Sequence, residues 1–173
     1  MFRPASADLG ALAAILFAGA SIAGPDPRLQ APRPTFDPAA FFAGRTVGEG
    51  TIDVVLKSPE PLRVQGSGRT EADSTLILDQ VVRRGGRAPE RRQWRFRKLG
   101  PSRYAGTLTD ATGPVAADVQ GNRLHLRYPM KGGLQAEQWI YLRPDGQSAV
   151  NRMTIRKLGM VVARIDETIR RVD

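Results

Sequence analysis

Residues 134–172, LQAEQWIYLRPDGQSAVNRMTIRKLGMVVARIDETIRRV, decide the predicted fold. Residues 139–143 are rich in aromatic and branched side chains, which favour a β-strand. Pro144-Asp145-Gly146 then supplies a turn, because proline fixes one dihedral, aspartate bonds its own backbone and glycine tolerates positive φ. Residues 150–156 return as a second strand, and Leu158-Gly159 separates that strand from a last one. The stretch therefore predicts an antiparallel meander.

The chain between residue 45 and this meander repeats the same pattern of short strand-like runs separated by turn signals. The runs are 46–57, 62–70, 74–84, 91–99, 103–109, 115–119, 123–130, 139–143, 150–156 and a last run through residue 166. No long helical pattern interrupts them, so the sequence predicts an all-β antiparallel barrel or sandwich. Glycines inside the runs (Gly48, Gly50, Gly66 and Gly68) favour an up-and-down barrel of about 8–10 strands, because they permit bends and bulges.

A single helical turn is predicted just before the first strand. Asp37 is a suitable N-cap, and Pro38 suits the first helical position. Phe41 and Phe42 would then plug one end of the sheet structure, and Gly44 ends the turn.

The N-terminal residues 1–23 are typical of a secretory signal peptide. Arg3 precedes the apolar run 9–22, and Ser21-Ile22-Ala23 offers small residues for cleavage. The alternative is an uncleaved anchor, although the apolar run is shorter than the roughly 20 residues of a membrane span. A proline-rich linker (residues 24–36) follows, and residues 37–173 are predicted to form one β-barrel domain. We therefore expect an exported protein of the bacterial periplasm or envelope.

Composition sets limits on the class of protein. The chain has 173 residues and is 41% hydrophobic, which suits one globular domain with a core. A net charge of +9 favours anionic partners, the alternative being a domain with no polyanionic partner. The sequence contains no cysteine, which excludes disulfides, thiol nucleophiles, thiolate metal sites and a lipid-modified cysteine.

A series of short motifs follows a fixed order along the chain: Phe41-Phe42-Ala43-Gly44, Gly48-Glu49-Gly50, Arg92-Gln93-Trp94, Tyr104-Ala105-Gly106, Asp110 with Gly113, Gly121-Asn122, Tyr128, Trp139, Asn151-Arg152 and Lys157-Leu158-Gly159. This series resembles the DUF3833 family, a bacterial family of unassigned function with many lipoprotein-like members. The resemblance runs from about residue 36 to the C-terminus. It implies a lipocalin-like (calycin-type) barrel and carries over no catalytic residue.

This chain departs from the family in three respects. It lacks the lipobox cysteine, so we expect that it is not a lipoprotein. The resemblance leads us to expect an acidic residue after Leu78-Asp79, where Gln80 stands. The loop at residues 83–90 is longer and more basic than expected.

A candidate ligand site combines aromatic and polar residues. We predict that Trp94, Phe96, Tyr128, Trp139 and Tyr141 line the barrel interior, as suits an amphipathic ligand. Arg92, Asn151 and Arg152 are candidates to bind the carboxylate or phosphate of its head group. The ligand would be a small hydrophobic or amphipathic anion. The alternative is that the aromatics are plain core and that Arg152 pairs with Asp79 or Asp110.

A second candidate surface is the strongest run of positive charge. Its members are Arg83, Arg84, Arg87, Arg91, Arg95, Arg97 and Lys98, with Arg92 between them. On one hairpin they would form a basic ridge that contacts anionic lipid, lipopolysaccharide or a protein partner, as in an envelope scaffold protein. Few aromatics interleave for base stacking, which argues against nucleic acid. The alternative is an ordinary solvated strand face.

Catalytic patterns are weak in this sequence. His125 is the only histidine and points away from its neighbours Leu124 and Leu126. No nucleophile elbow or histidine-bearing metal pattern accompanies it, and Asp110 reads as a turn former rather than one of a catalytic pair with Asp118. We therefore assign no catalytic residue, metal or cofactor, and an enzyme is the least favoured hypothesis.

Overall fold

The computed structural model describes residues 33–172, in which one short helix precedes ten antiparallel strands that close into a barrel. The elements are α1 (Pro38–Phe42), β1 (Gly44–Val54), β2 (Glu60–Thr70), β3 (Leu76–Arg84), β4 (Glu90–Lys98), β5 (Arg103–Leu108), β6 (Val115–Gln120), β7 (Arg123–Met130), β8 (Leu134–Leu142), β9 (Ser148–Lys157) and β10 (Met160–Arg171). Consecutive strands pair, and β1 pairs with β10 to close the ring. The predicted up-and-down barrel is confirmed.

Alternation of side chains along each strand separates the core from the outer surface. In β7, Leu124, Leu126 and Tyr128 are buried in the interior, and in β8 the same is true of Ala136 and Ile140. The inward residues of β3 to β10 fill one shared core, and Val54 of β1 packs against it. The intervening residues point outward, so the hydrophobic pattern also fixes the pairing register.

Helix α1 closes one end of the barrel as predicted. The Asp37 carboxylate accepts hydrogen bonds from the backbone N–H groups of Ala39 (2.9 Å) and Ala40 (3.3 Å). Phe41 and Phe42 are buried with their ring centroids 5.0 Å apart. Phe36, at the end of the predicted linker, is also buried, and its ring centroid lies 5.4 Å from that of Phe41. We call this closed pole the plugged end.

The turn predicted at residues 144–146 joins β8 to β9. The Asp145 carboxylate accepts hydrogen bonds from the backbone of Gln147 (2.9 Å) and from the Ser148 hydroxyl (2.7 Å). Gly146 adopts φ 64°, the left-handed conformation that glycine tolerates. The meander that decided the predicted fold is thus confirmed.

The predicted signal segment, and residues 24–32 of the predicted linker, lie outside the described residues. Within residues 33–172, no helix is both long enough and apolar enough to cross a bilayer.

Substitution of Gly68 by alanine tests how closely the plug packs on the barrel. A Cβ atom at Gly68 would lie 1.8 Å from the carbonyl oxygen of Phe42, so α1 must move away from β2. We expect a loss of about 1–3 kcal/mol in the free energy of unfolding, measured by urea titration. The matched control is Gly86→Ala, which has no neighbour within 4 Å and should leave stability nearly unchanged. Equal stability of the two variants would contradict this account.

Candidate functional site

A hydrogen-bonded cluster on β3 and β4 holds an arginine in the barrel interior. The side-chain oxygen of Gln80 accepts hydrogen bonds from Arg92 Nε (2.8 Å) and from Trp94 Nε1 (2.9 Å). The Arg92 guanidinium also lies 5.9 Å from the centroid of the Trp94 ring. Trp94 stacks on Phe96 and meets Tyr128 edge-on, with both centroids 5.4 Å away. The aromatic packing therefore fixes Trp94, and Gln80 ties Arg92 to it.

A buried carboxyl group occupies the opposite wall of the interior. Asn151 Nδ2 donates a 2.8 Å hydrogen bond to Glu167, while the buried Asn151 Oδ1 has no partner among the described residues. Gly48 makes room for this carboxyl, since a Cβ atom there would lie 1.7 Å from Glu167 Oε1. Burial raises the pKa of Glu167, against the opposing effects of the Asn151 hydrogen bond and the Arg92 charge.

The space between these two walls is small. The cavity measures about 30 Å³. It is lined by Phe42, Leu78, Gln80, Arg92, Trp94, Phe96, Leu124, Leu126, Gln138, Ile140, Glu167 and Ile169. This volume accommodates about one water molecule. Between these two walls the barrel is therefore filled by its own side chains, and a ligand larger than water must bind elsewhere or displace them.

A much larger depression lies along the wall formed by the first four strands, and we call it the arginine groove. Its volume is about 430 Å³. It is lined by Arg45, Gln65, Gly66, Ser67, Asp79, Gln80, Val81, Arg91, Arg92, Gln93 and Thr109. Gln80 and Arg92 border both this groove and the interior cavity. The groove thus connects the outer wall to the interior cluster.

The charges that line the arginine groove do not cancel. Asp79, the one carboxylate among its described lining residues, lies 2.7 Å from Gln93 Nε2 and 2.6 Å from an Arg69 guanidinium nitrogen. The hydrogen bond from Gln93, and then those from Arg69, hold the pKa of Asp79 below its usual range. Arg69 lies outside the groove lining and already balances this carboxylate. Arg91 and Arg92 therefore bring positive charge to the groove that Asp79 does not neutralise.

The predicted ligand-binding residues fall into two groups. Arg92, Trp94, Tyr128 and Asn151 lie on the inward face of their strands. Burial raises the pKa of Tyr128 to about 12, so its hydroxyl stays protonated. Trp139, Tyr141 and Arg152 lie instead on the outer face, so the prediction that they join the interior set is wrong.

Register explains this correction. In β8, Gln138 and Ile140 point inward, so Trp139 and Tyr141 between and after them must point outward. Arg152 lies opposite Asp166 on the outer face, with their charged atoms 3.5 Å apart. Its partner is therefore neither Asp79 nor Asp110.

His125 is on the outer face but is only 7% exposed, because Trp139 covers it. The two rings stack with centroids 3.4 Å apart, and the Arg123 guanidinium lies 4.8 Å from the Trp139 centroid. The imidazole contacts Glu137 (3.1 Å) and Asp118 (3.4 Å). In the part of the chain that the structure describes, no group of three or more acidic and histidine side chains is arranged to hold a metal ion.

The predicted basic ridge is divided by the strand alternation. Arg83, Arg91, Arg95 and Arg97 share the outer face, whereas Arg84 and Lys98 lie on the opposite face of the same hairpin. Several of these charges are already paired. The pairs are Arg84 and Arg87 with Glu60 (2.9 and 3.6 Å) and Arg95 with Glu71 (3.1 Å). The prediction of one continuous ridge is therefore wrong.

Sequence reasoning missed Glu167. The signal available was its place between Ile165 and Ile169 in an alternating strand, which predicts an inward side chain. Gln80 was noticed only as a departure from the family pattern.

The raised pKa of Glu167 predicts a specific dependence of stability on pH. The folded state binds this proton more tightly than the unfolded state, so stability falls as pH rises above the usual value of 4.5. Glu167→Gln keeps an acceptor for Asn151 and removes the charge. We expect the variant to unfold at higher urea than the wild type at neutral pH. This advantage should shrink toward about pH 4.5, and a pH-independent difference would contradict the assignment.

Solved structures with a similar barrel include proteins of two kinds. The S-type phycobiliprotein lyase CPES from Guillardia theta has a TM-score of 0.61 at 9% identity, over 76% of this chain and 88% of that one. A protein of unknown function from the DUF3598 family of Nostoc punctiforme PCC 73102 has a TM-score of 0.59 at 14% identity. That match spans 81% of this chain and 51% of the other. At these identities the likeness shows the fold alone, and it confirms the predicted lipocalin-like architecture.

Sequence comparison gives a family but no activity. No curated protein matches this chain significantly in sequence. The match to DUF3833, a family of proteins of unknown function, covers residues 15–171. Because this match spans nearly the whole chain, the protein belongs to the DUF3833 family.

Proposed function

We propose that the protein binds a small amphipathic anion in the arginine groove. The observation that carries this proposal is a depression of about 430 Å³ lined by three arginines, whose one described carboxylate is already paired. This volume lies in the range of small-molecule sites. The filled barrel interior makes the groove the better candidate for the site.

Two guanidinium groups support an anionic ligand. The Arg91 side chain has no hydrogen-bond or ion-pair partner among residues 33–172. Arg92 is held by the neutral acceptor Gln80 and takes part in no ion pair within the same residues. A guanidinium group binds a carboxylate or phosphate through two parallel hydrogen bonds. Neither guanidinium charge is therefore compensated by an ion pair within the described residues.

The same groove offers some apolar contact. Val81 lies between the polar residues, and the hydrocarbon stems of Gln65 and the arginines add to it. A short alkyl or aromatic portion would pack there while the anionic group meets Arg91, which points outward, and Arg92 borders the same groove from the interior side. A phycobiliprotein lyase has a barrel of similar fold.

The residue at position 80 determines whether the charge of Arg92 in the proposed site is neutralised. Gln80 leaves the charge of Arg92 uncompensated, whereas a glutamate there would accept the same two hydrogen bonds and neutralise it. The departure of this chain from the expected acidic residue therefore favours anion binding.

Arg92→Met should abolish most of this binding. Methionine keeps the apolar stem and removes the charge, and loss of a charged hydrogen-bond pair weakens binding by about tenfold or more. The measurement is calorimetric titration with decanoate and with dodecyl phosphate below their micelle concentrations. Gln80→Glu should weaken binding while leaving the fold intact. Arg97→Met is the matched control on the outer face of the same strand, and equal affinity of the Arg92 and Arg97 variants would refute the site.

Native mass spectrometry of protein recovered from bacteria, followed by lipid extraction, would identify a bound natural ligand. We also propose that residues 1–23 direct export to the bacterial envelope, where that ligand would be met. This part of the proposal is supported by the arginine, apolar and small-residue pattern of the sequence. The mass of the mature protein should correspond to cleavage after Ala23, and retention of Met1 in all molecules would overturn it.

A further inference from the structure

Two hairpin turns lie side by side at the pole opposite the plugged end. One turn joins β1 to β2 at residues 55–59, and the other joins β9 to β10 at Leu158-Gly159. They are neighbours because β1 pairs with β10 as far as Val54 opposite Ala163. A hydrogen bond of 3.0 Å from Val55 N–H to the Val162 carbonyl extends this contact into the turns.

These turns expose aliphatic side chains to an unusual degree. Leu56 is 100% exposed and Leu158 is 87% exposed. Val55 and Met160 are exposed beside them, so four of the seven exposed large hydrophobic residues in the described chain lie here. We call Val55, Leu56, Leu158 and Met160 the apolar tips. Leu56 and Leu158 contribute nothing to the core of this barrel, so packing of the core does not explain why exposed apolar residues cluster here.

The backbone makes the choice of leucine more unusual. Leu56 adopts φ 64° at the third position of a turn closed by Lys57 N–H to the Val54 carbonyl (2.9 Å). Leu158 adopts φ 50° in a two-residue loop before Gly159. Glycine or asparagine is favoured at both kinds of position, because other side chains are strained there. Neither packing nor conformation within the fold favours these leucines.

Lysine side chains surround the apolar tips. Three of the four lysines in the sequence (Lys57, Lys131 and Lys157) lie in or beside turns at this pole. No side-chain ammonium group of the three has a hydrogen-bond or ion-pair partner among residues 33–172. Two nearby carboxylates lie beside arginines. Glu60 pairs with Arg84 and Arg87, and Asp53 lies opposite Arg164 in the strand register.

We propose that this pole docks on an anionic phospholipid bilayer. The apolar tips insert at the boundary between head groups and acyl chains, where their surface leaves water. Lys57, Lys131 and Lys157 then lie at the level of the lipid phosphates, which attract flanking basic residues. Charge complementarity and two convex tips favour a bilayer over a protein partner, which would need a matching concave pocket. This surface is separate from the arginine groove and does not depend on it.

Asparagine substitutions test the insertion step without disturbing the turns. Asparagine tolerates the left-handed conformation, so Leu56→Asn combined with Leu158→Asn should melt at the same temperature as the wild type or higher. We expect at least about tenfold weaker partition of this full-length variant onto vesicles of phosphatidylcholine with about 30% phosphatidylglycerol. The readout is vesicle flotation. Because all variants share residues 1–23, any contribution from that segment is equal among them.

Leu99→Asn is the matched control, since Leu99 is 54% exposed in the turn after β4 at the plugged end. It should bind vesicles like the wild type. Replacing Lys57, Lys131 and Lys157 with glutamine should remove the preference for anionic over pure phosphatidylcholine vesicles. Unchanged binding by the double asparagine variant, or an equal loss in the Leu99 variant, would overturn the proposal. So would self-association that depends on the two leucines in the absence of vesicle binding, measured by sedimentation.

Discussion

Pairing of the first strand with the last is the constraint on which the rest of the structure depends. The two strands run antiparallel from Thr46 opposite Arg171 to Val54 opposite Ala163. This ladder removes the two edges that an open ten-stranded sheet would expose. It also places Gly48 against Glu167 and brings the β1–β2 turn beside the β9–β10 turn. The position of the Glu167 carboxyl and the clustering of the apolar tips therefore both depend on the pairing of β1 with β10.

Some charged groups of the interior and the groove have an ion-pair partner, and others do not. Gln80 is central to this division, because a neutral amide positions Arg92 and Trp94 without cancelling the guanidinium charge. Asp79, one residue earlier, points to the other face and is matched by Arg69 and Gln93. Alternation along β3 thus places the neutral hydrogen-bond acceptor Gln80 inside and the ion-paired carboxylate of Asp79 outside. The Arg92 guanidinium, which keeps its positive charge, borders both the groove and the cavity.

The sequence was most informative where local chemistry decides the structure. The Asp145 turn, the Asp37 cap and the alternating strands follow from the residues themselves, and each was predicted correctly. Trp94 and Tyr128 were assigned to the interior correctly because their strands alternate clearly.

Trp139, Tyr141 and Arg152 were misplaced because aromatic content alone does not say which face a residue occupies. A shift of one residue in register exchanges the two faces of a strand, and in β8 the smaller Gln138 and Ile140 are the inward residues. The arginine groove was not predictable, because its lining comes mainly from four consecutive strands whose side chains form a depression only in the folded barrel wall. Glu167 was missed since its burial depends on the space beside Gly48 on a distant strand.

Closure also bears on the order in which the chain acquires its structure. Every strand pairing but one joins neighbours in sequence, so most of the sheet consists of contacts that short loops bring together quickly. The β1–β10 ladder joins opposite ends of the domain and carries the largest loop-closure entropy. We therefore expect the ring to close last, and until it does the first and last strands are open templates for intermolecular pairing. A nascent chain lacking β10 is exposed to aggregation throughout that interval.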